Sequence, residues 1–235
     1  MTAARHLQPE WLDRLPADDP RAMRSRRDIG RLNGWMMQPG IMAAALRTVG
    51  TPAKSGVMID LGAGDGTFML RVAQLLAPHW PSMKVIMVDR VDVVDLATRA
   101  GFAALGWTAE TVAADALAFL DRERLDADVV AANLFLHHFS QGELTRLLAS
   151  AAHMAPMFVA CEPRRATLAR IGSRLVRVIG CNEVTRHDAV ASVEAGFNGN
   201  ELSALWPNQK RWQLREYRAG LFTHCFVARR TSPDA

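Results

Sequence analysis

The chain predicts one α/β domain: a doubly wound sheet of seven strands, ending in an antiparallel C-terminal hairpin and preceded by an N-terminal helical cap. Three observations carry this. From about residue 55 onward, short apolar runs alternate with amphipathic stretches, the pattern of parallel strands joined by right-handed helical crossovers. The runs DADVVAANLF and MFVACE are apolar without alternation, as in strands covered on both faces. The closing stretch WQLREYRAGLFTHCFVARR reads instead as two strands around Ala219-Gly220, a hairpin.

Each element follows in order. Residues 1–50 read as a helical cap or lid. Pro39 and Gly40 divide a first helical stretch from a second, IMAAALRTV, which stops at Gly50. Trp35, Met36 and Met37 read either as an apolar lid or as a plain core contact. Residues 51–235 form the main domain. SGVMIDLGAG is its first strand. DGTFMLRVAQLLA is its first helix, with Met69, Val72, Ala73 and Leu76 at helical spacing and Pro78 closing it. KVIMVD is the second strand, a helix covers about 93–104, and a short strand lies near 108–113. Ser140 and Glu143 form the S-x-x-E signature of a helix start. Residues 163–210 are too long for a simple crossover and supply extra helices over one edge.

Composition narrows the classes. The chain has 235 residues, 49% of them apolar, enough for one large domain without staples. No apolar run reaches the ~20 residues of a membrane span. The start, MTAARHLQPEWLDRLP, has no apolar signal region, so a cytoplasmic protein is expected. Three separate cysteines, Cys161, Cys181 and Cys225, imply neither a disulfide framework nor a zinc knuckle; each reads as a small buried residue. The net charge of +4 comes from scattered arginines, with one run, RAMRSRR at 21–27. That run reads as a solvated helix surface, not the concentrated basic face of a nucleic-acid binder.

The chemistry concentrates in DLGAGDGT at 60–67. In a doubly wound sheet, ligands bind outside the carboxyl ends of the strands. Gly62 and Gly64 let backbone approach a ligand, and Gly66 stands where a helix begins. The spacing is GxGxG, not the GxGxxG of dinucleotide folds. Acids recur at strand ends: Asp60, Asp89 and Asp115. A carboxylate after the second strand suits a ribose diol. One a strand later suits an exocyclic amine.

VMIDLGAGDGT, VIMVDR, AADAL and VVAANLFLHHF together resemble the class I S-adenosylmethionine-dependent methyltransferases, with their Rossmann-like fold, over about residues 55–230. The resemblance implies S-adenosyl-L-methionine as cofactor. It places Gly62, Ala63, Gly64 and Gly66 at the methionine moiety, with Asp60 near its amino-acid end. Asp89 falls to the ribose hydroxyls, Arg90 beside the adenine, and Asp115 with Ala116 at the adenine amine. Asn133, ending the fourth strand, completes the set.

LFLHHFSQGELTRLL is similar to the strand-4 region of small-molecule O-methyltransferases, in which a Leu-His carries a base. His137 takes that position; His138 and Phe139 depart from the Asp-Trp that follows there. A neutral imidazole takes a phenolic proton during attack, so His137 is a candidate base or else a loop residue lining the site. Neighbours in extended chain point opposite ways, so joint metal binding by the two histidines is not expected. Glu162, ending the fifth strand, is a candidate to orient a histidine or the acceptor hydroxyl. His187, in EVTRHDAV, either lines the acceptor pocket or belongs to an exposed polar turn. His224 reads as packed or exposed within the last strand.

The leading expectation is methylation of a small, largely apolar acceptor at a phenolic or polyketide-derived oxygen. The stretch CNEVTRHDAVASVEAGFNGNELSALWP weakly resembles methyltransferases that accompany type III polyketide synthases. Carbon methylation of a quinone precursor, methylation of RNA or protein, and a non-catalytic scaffold remain alternatives. The GxGxG spacing and the hairpin count against a nicotinamide dehydrogenase.

Overall fold

The computed structural model describes residues 4–52, 56–123, 125–167, 169, 172–173 and 180–231. Two helices come first, α1 (Pro20–Trp35) and α2 (Gln38–Val49). Four βα units and a fifth strand follow: β1 (Val57–Leu61), α3 (Thr67–Leu76), β2 (Lys84–Asp89), α4 (Leu96–Ala104), β3 (Thr108–Ala113), α5 (Ala116–Arg122), β4 (Val129–Asn133), α6 (Gln141–Met154) and β5 (Met157–Pro163). In the segment after β5 the described helices are α7 (Glu183–Ala195) and α8 (Glu201–Leu205); β6 (Trp212–Ala219) and β7 (Thr223–Arg230) then close the sheet. Part of the expected extra helical segment, 163–210, lies outside the described residues.

The strand order is β3-β2-β1-β4-β5-β7-β6. β1 to β5 are parallel, and β7 runs antiparallel between β5 and β6. The chain winds outward from β1 to β3, then returns to the other side of β1 with β4. The crevice of such a sheet therefore lies between the carboxyl ends of β1 and β4. β1, β4 and β5 are buried along almost their whole length, which accounts for their unbroken apolar runs. Two apolar clusters cover the faces: one centred on α5, α6 and Trp206, the other on α2, α3, Trp80 and Trp107.

Local signals set the helix ends. Asp19, Asp95 and Asp115 cap α1, α4 and α5 through their carboxylates. The S-x-x-E signature is a full capping box: the Glu143 N–H donates to Ser140 Oγ at 3.4 Å, and the Ser140 N–H to Glu143 Oε2 at 2.8 Å. Ser140→Ala is expected to cost about 1 kcal/mol, read as a lower unfolding midpoint in urea at unchanged slope.

Two expectations about the cap are corrected. The first two helices part at Met36-Met37, not at Pro39-Gly40. Met37 takes a left-handed backbone, φ 53°, and Pro39 sits in the first turn of α2, where its missing N–H costs nothing. Trp35 and Met37 are exposed, 67% and 70%, so neither is a core contact. All three cysteines are buried.

Candidate active site

The turn from β1 into α3 folds onto β2. The N–H groups of Gly62 and Ala63 both donate to the Val88 carbonyl, at 2.9 and 3.2 Å. The Gly64 N–H donates to Asp89 Oδ2 at 2.9 Å, so the acid ending β2 also shapes the loop after β1. Gly62 and Gly66 need to be glycine. Their φ values are 71° and 72°; a Cβ on Gly62 would stand 2.3 Å from the Phe135 ring, and one on Gly66 would stand 2.8 Å from Met87 Sδ. Above Gly64 a Cβ would meet no described residue within 4 Å, leaving an open face at the crevice.

Asp60, one strand inward, is buried. Burial and, second, the charge of Asp89 push its carboxyl up to about 8. An acid raised from 3.8 to about 8 makes folding less favourable as pH climbs through that window, because the unfolded chain has already released the proton. Asp60→Asn is therefore expected to raise Tm, and the gain is expected to grow between pH 4 and pH 8; an equal gain at both ends contradicts this reading. Asn133 Oδ1, at the end of β4, is buried and has no hydrogen-bond partner among the described residues. Ala63 lies in the turn after β1, and Ala116 is the first residue of α5. Arg90 and Asp115 are exposed and 3.9 Å apart across the ends of β2 and β3. Asp115 also accepts from the Ala118 N–H at 3.1 Å as the α5 cap, so a capping role accompanies any role toward a ligand.

These groups fit S-adenosylmethionine. A buried acid beside a second acid suits a cationic ligand. The open glycine turn admits close backbone approach. The unmatched Asn133 oxygen wants a donor.

The histidines stand at the carboxyl edge of β4. They do not point apart, as expected from extended chain. Residues Leu136–His138 form a single 3-10 turn, and the two imidazole centroids lie 4.2 Å apart. His137 is buried, with Nδ1 donating to Glu162 Oε2 at 2.8 Å. Glu162 is itself fully enclosed and anchored: its Oε1 accepts the Phe135 and Leu136 N–H groups at 3.0 and 2.8 Å, and its Oε2 the His137 N–H at 3.3 Å. One buried carboxylate thus fixes both the turn and the ring on it.

The other ring nitrogen, Nε2, meets Glu10 Oε1 at 3.2 Å, and Glu10 also accepts from the Ser192 hydroxyl. Both carboxylates are acceptors when ionised, so both ring nitrogens carry protons. Burial alone would lower the His137 pKa, but its bonds to Glu10 and Glu162 raise it to about 9. Burial would raise the Glu10 carboxyl; His137 reverses that, to about 2. Burial and the charge of His137 push His138 down. Glu10, His137 and His138 bring their ligand atoms within 4.8 Å of one another. A cation there would have to displace the proton between His137 and Glu10.

The remaining candidates fall elsewhere. His187 lies in α7, not in a polar turn. It stacks on Trp11 at 4.1 Å and pairs with Asp188 at 2.9 Å. His224 is buried and bonded to Glu216 at 2.7 Å. Glu10 had no local signal: it lies 127 positions from His137, and no spacing rule links them.

No family model matches the sequence, and no curated protein matches it. Solved structures do. An O-methyltransferase family protein from Burkholderia thailandensis matches over 92% of this chain and 62% of its own, at 20% identity and a TM-score of 0.63. The plantazolicin methyltransferase BamL, solved with a desmethyl-plantazolicin analogue and SAH, matches over 91% and 92%, at 12% identity and 0.63. The mitomycin 7-O-methyltransferase MmcR matches over 94% and 60%, at 17% and 0.59. This chain thus spans about three fifths of the length of the first and third. What all three share with it is the fold.

Proposed function

We propose that this chain, which has the fold of S-adenosylmethionine-dependent methyltransferases, methylates a hydroxyl oxygen on a small, largely apolar acceptor. The observation that carries the reading is the buried His137–Glu162 pair. It stands at the carboxyl edge of β4 and β5, beside the glycine turn where a cofactor of this fold is held. Asp60, Gly62, Ala63, Gly64 and Gly66 hold the methionine end, with Asn133 facing it. Asp89 takes the ribose, and Arg90, Asp115 and Ala116 flank the adenine. The cofactor supplies an electrophilic methyl group.

The protein's own part is positioning and proton transfer. His137 takes the acceptor proton at Nε2 once Glu10 no longer bonds that nitrogen, and Glu162 holds Nδ1–H so that Nε2 is the one turned to the acceptor. A phenol ionises near pH 10, so at neutral pH it needs such help. Glu162 then steadies the imidazolium that forms. His187 is at most a wall of the acceptor space. No described helix is long and apolar enough to cross a membrane. The reading places the protein in the cytoplasm, with a small molecule and not a nucleic acid as partner.

Calorimetric titration with S-adenosylmethionine tests the cofactor half; binding in the micromolar range is expected, and no heat at millimolar cofactor overturns it. The proton shift of the transferred methyl tests the oxygen assignment against carbon methylation.

A further inference from the structure

The residues ahead of α1 are stitched onto the site by polar contacts. The Arg5 guanidinium donates to the carbonyls of Ala195 at 2.8 Å and of His137 and Phe139 at 3.1 Å each, and it lies 4.3 Å over the Phe197 ring. The His6 N–H donates to the Glu194 carbonyl at 3.1 Å. The N–H groups of Trp11 and Leu12 donate to the Asp188 carboxylate at 2.8 and 3.0 Å. Asp13 comes within 3.6 Å of His138. At the centre stands Glu10, between Ser192 and Nε2 of His137. The anchor is not apolar: Leu7 and Trp11 are 42% and 44% exposed. Each of these hydrogen bonds is one that water or a ligand can replace.

We propose that residues 5–14 form a strap whose Glu10 holds the proton-accepting nitrogen of His137, so that the acceptor hydroxyl reaches His137 only as the strap opens. The proposal rests on the acceptor reading above, since it concerns the nitrogen assigned there to the proton. Closed, the strap makes His137 an imidazolium with both nitrogens engaged, and an imidazolium accepts no proton. Open, it leaves His137 with Glu162 alone. Against His137 stand Glu10 and Arg5 from the strap, His138 from its own turn and Glu162 from β5; around them, Asp13 faces His138, Ser192 of α7 bonds Glu10, and Asp188 of α7 pairs with His187. Of these, Glu10 is the one bonded to Nε2. Losing a carboxylate at this range lowers an imidazole pKa by about 1–3 pH units. Opening the strap therefore clears the nitrogen and returns it to a range where it works as a base. The base is switched on by the same motion that admits the acceptor.

The test uses the full chain with Glu10→Gln and, separately, Arg5→Ala. The imidazole of His137 is titrated by NMR on carbon-labelled histidine, with no cofactor or acceptor present. Trypsin cleavage after Arg14 is timed on the same proteins, with Tm as a check on the fold. Glu10→Gln is expected to lower the His137 titration by about 1–3 pH units. Both variants are expected to speed cleavage about tenfold, as local opening becomes easier, and each still unfolds in one cooperative step; Glu10→Gln also lowers Tm, because its ion pair with His137 is lost. An unmoved histidine titration, or cleavage no faster than in the parent, overturns the strap. Failure of the methyl-transfer reading is told apart by calorimetry. Normal cofactor binding with an unmoved titration removes the strap alone. A shifted titration without cofactor binding removes the transfer reading, and with it the strap's role.

Discussion

Replacing His137 by alanine is expected to cut methyl transfer about 10²- to 10⁴-fold, the usual worth of a positioned general base. Affinity for S-adenosylmethionine is expected to stay within about twofold, because a base acts on the acceptor and not on cofactor binding. The comparison needs a fold control, since alanine leaves Glu10 and Glu162 buried without their common partner, and an unpaired buried charge destabilises. His137→Gln, which keeps a donor toward Glu162, is the gentler variant and is expected to lose activity with less loss of Tm. The ion cluster also sets a pH window for stability. His137 is raised from 6.5 to about 9, so its contribution is complete below 6.5 and disappears as pH rises through about 9. Glu10 is lowered from 4.5 to about 2, so its contribution is present above 4.5 and lost as pH falls toward 2. His137→Gln is expected to flatten the alkaline limb of Tm against pH. Full turnover in either His137 variant would remove the base assignment.

Asp89→Ala is expected to weaken S-adenosylmethionine binding by about 10- to 1000-fold, from one or two lost charge-assisted hydrogen bonds. Asp89 acts twice. Its Oδ2 accepts from the Gly64 N–H at 2.9 Å, holding the loop, and its carboxylate is the acceptor assigned to the ribose. Asp89→Asn keeps one oxygen and is expected to lose less. Asp115→Ala makes the contrast. Asp115 is exposed and caps α5, so its loss is expected to cost a helix cap and a smaller part of the affinity. Calorimetry on the three variants ranks them; equal losses would place the acids in the wrong order around the cofactor.

The elements were legible where the signal is local. Glycine spacing, buried strands and the Ser140–Glu143 box each involve neighbours within a few positions, and the structure places all of them where the sequence implies. Glu162 was legible as a strand-ending acid near the histidines, though not as the anchor of three backbone N–H groups. The orientation of His137 and His138 was not. Their relation depends on whether residues 136–138 are extended or a 3-10 turn, and the bonds from Glu162 that set the turn come from another strand. Glu10 was invisible for the same reason at greater distance: a strap contact leaves no periodicity. The break between α1 and α2 was misplaced because Pro39 reads as a breaker, although at a helix start proline is well tolerated.

The most direct measurement uses methyl-labelled S-adenosylmethionine with the purified protein and a cell extract containing its lipids, RNA and proteins. Wild type and His137→Gln are run side by side. The account predicts label in the organic phase from wild type, on a small molecule whose methyl proton shift is that of an ether oxygen, and little label from the variant. Label in RNA or protein, or equal label from both proteins, would contradict it.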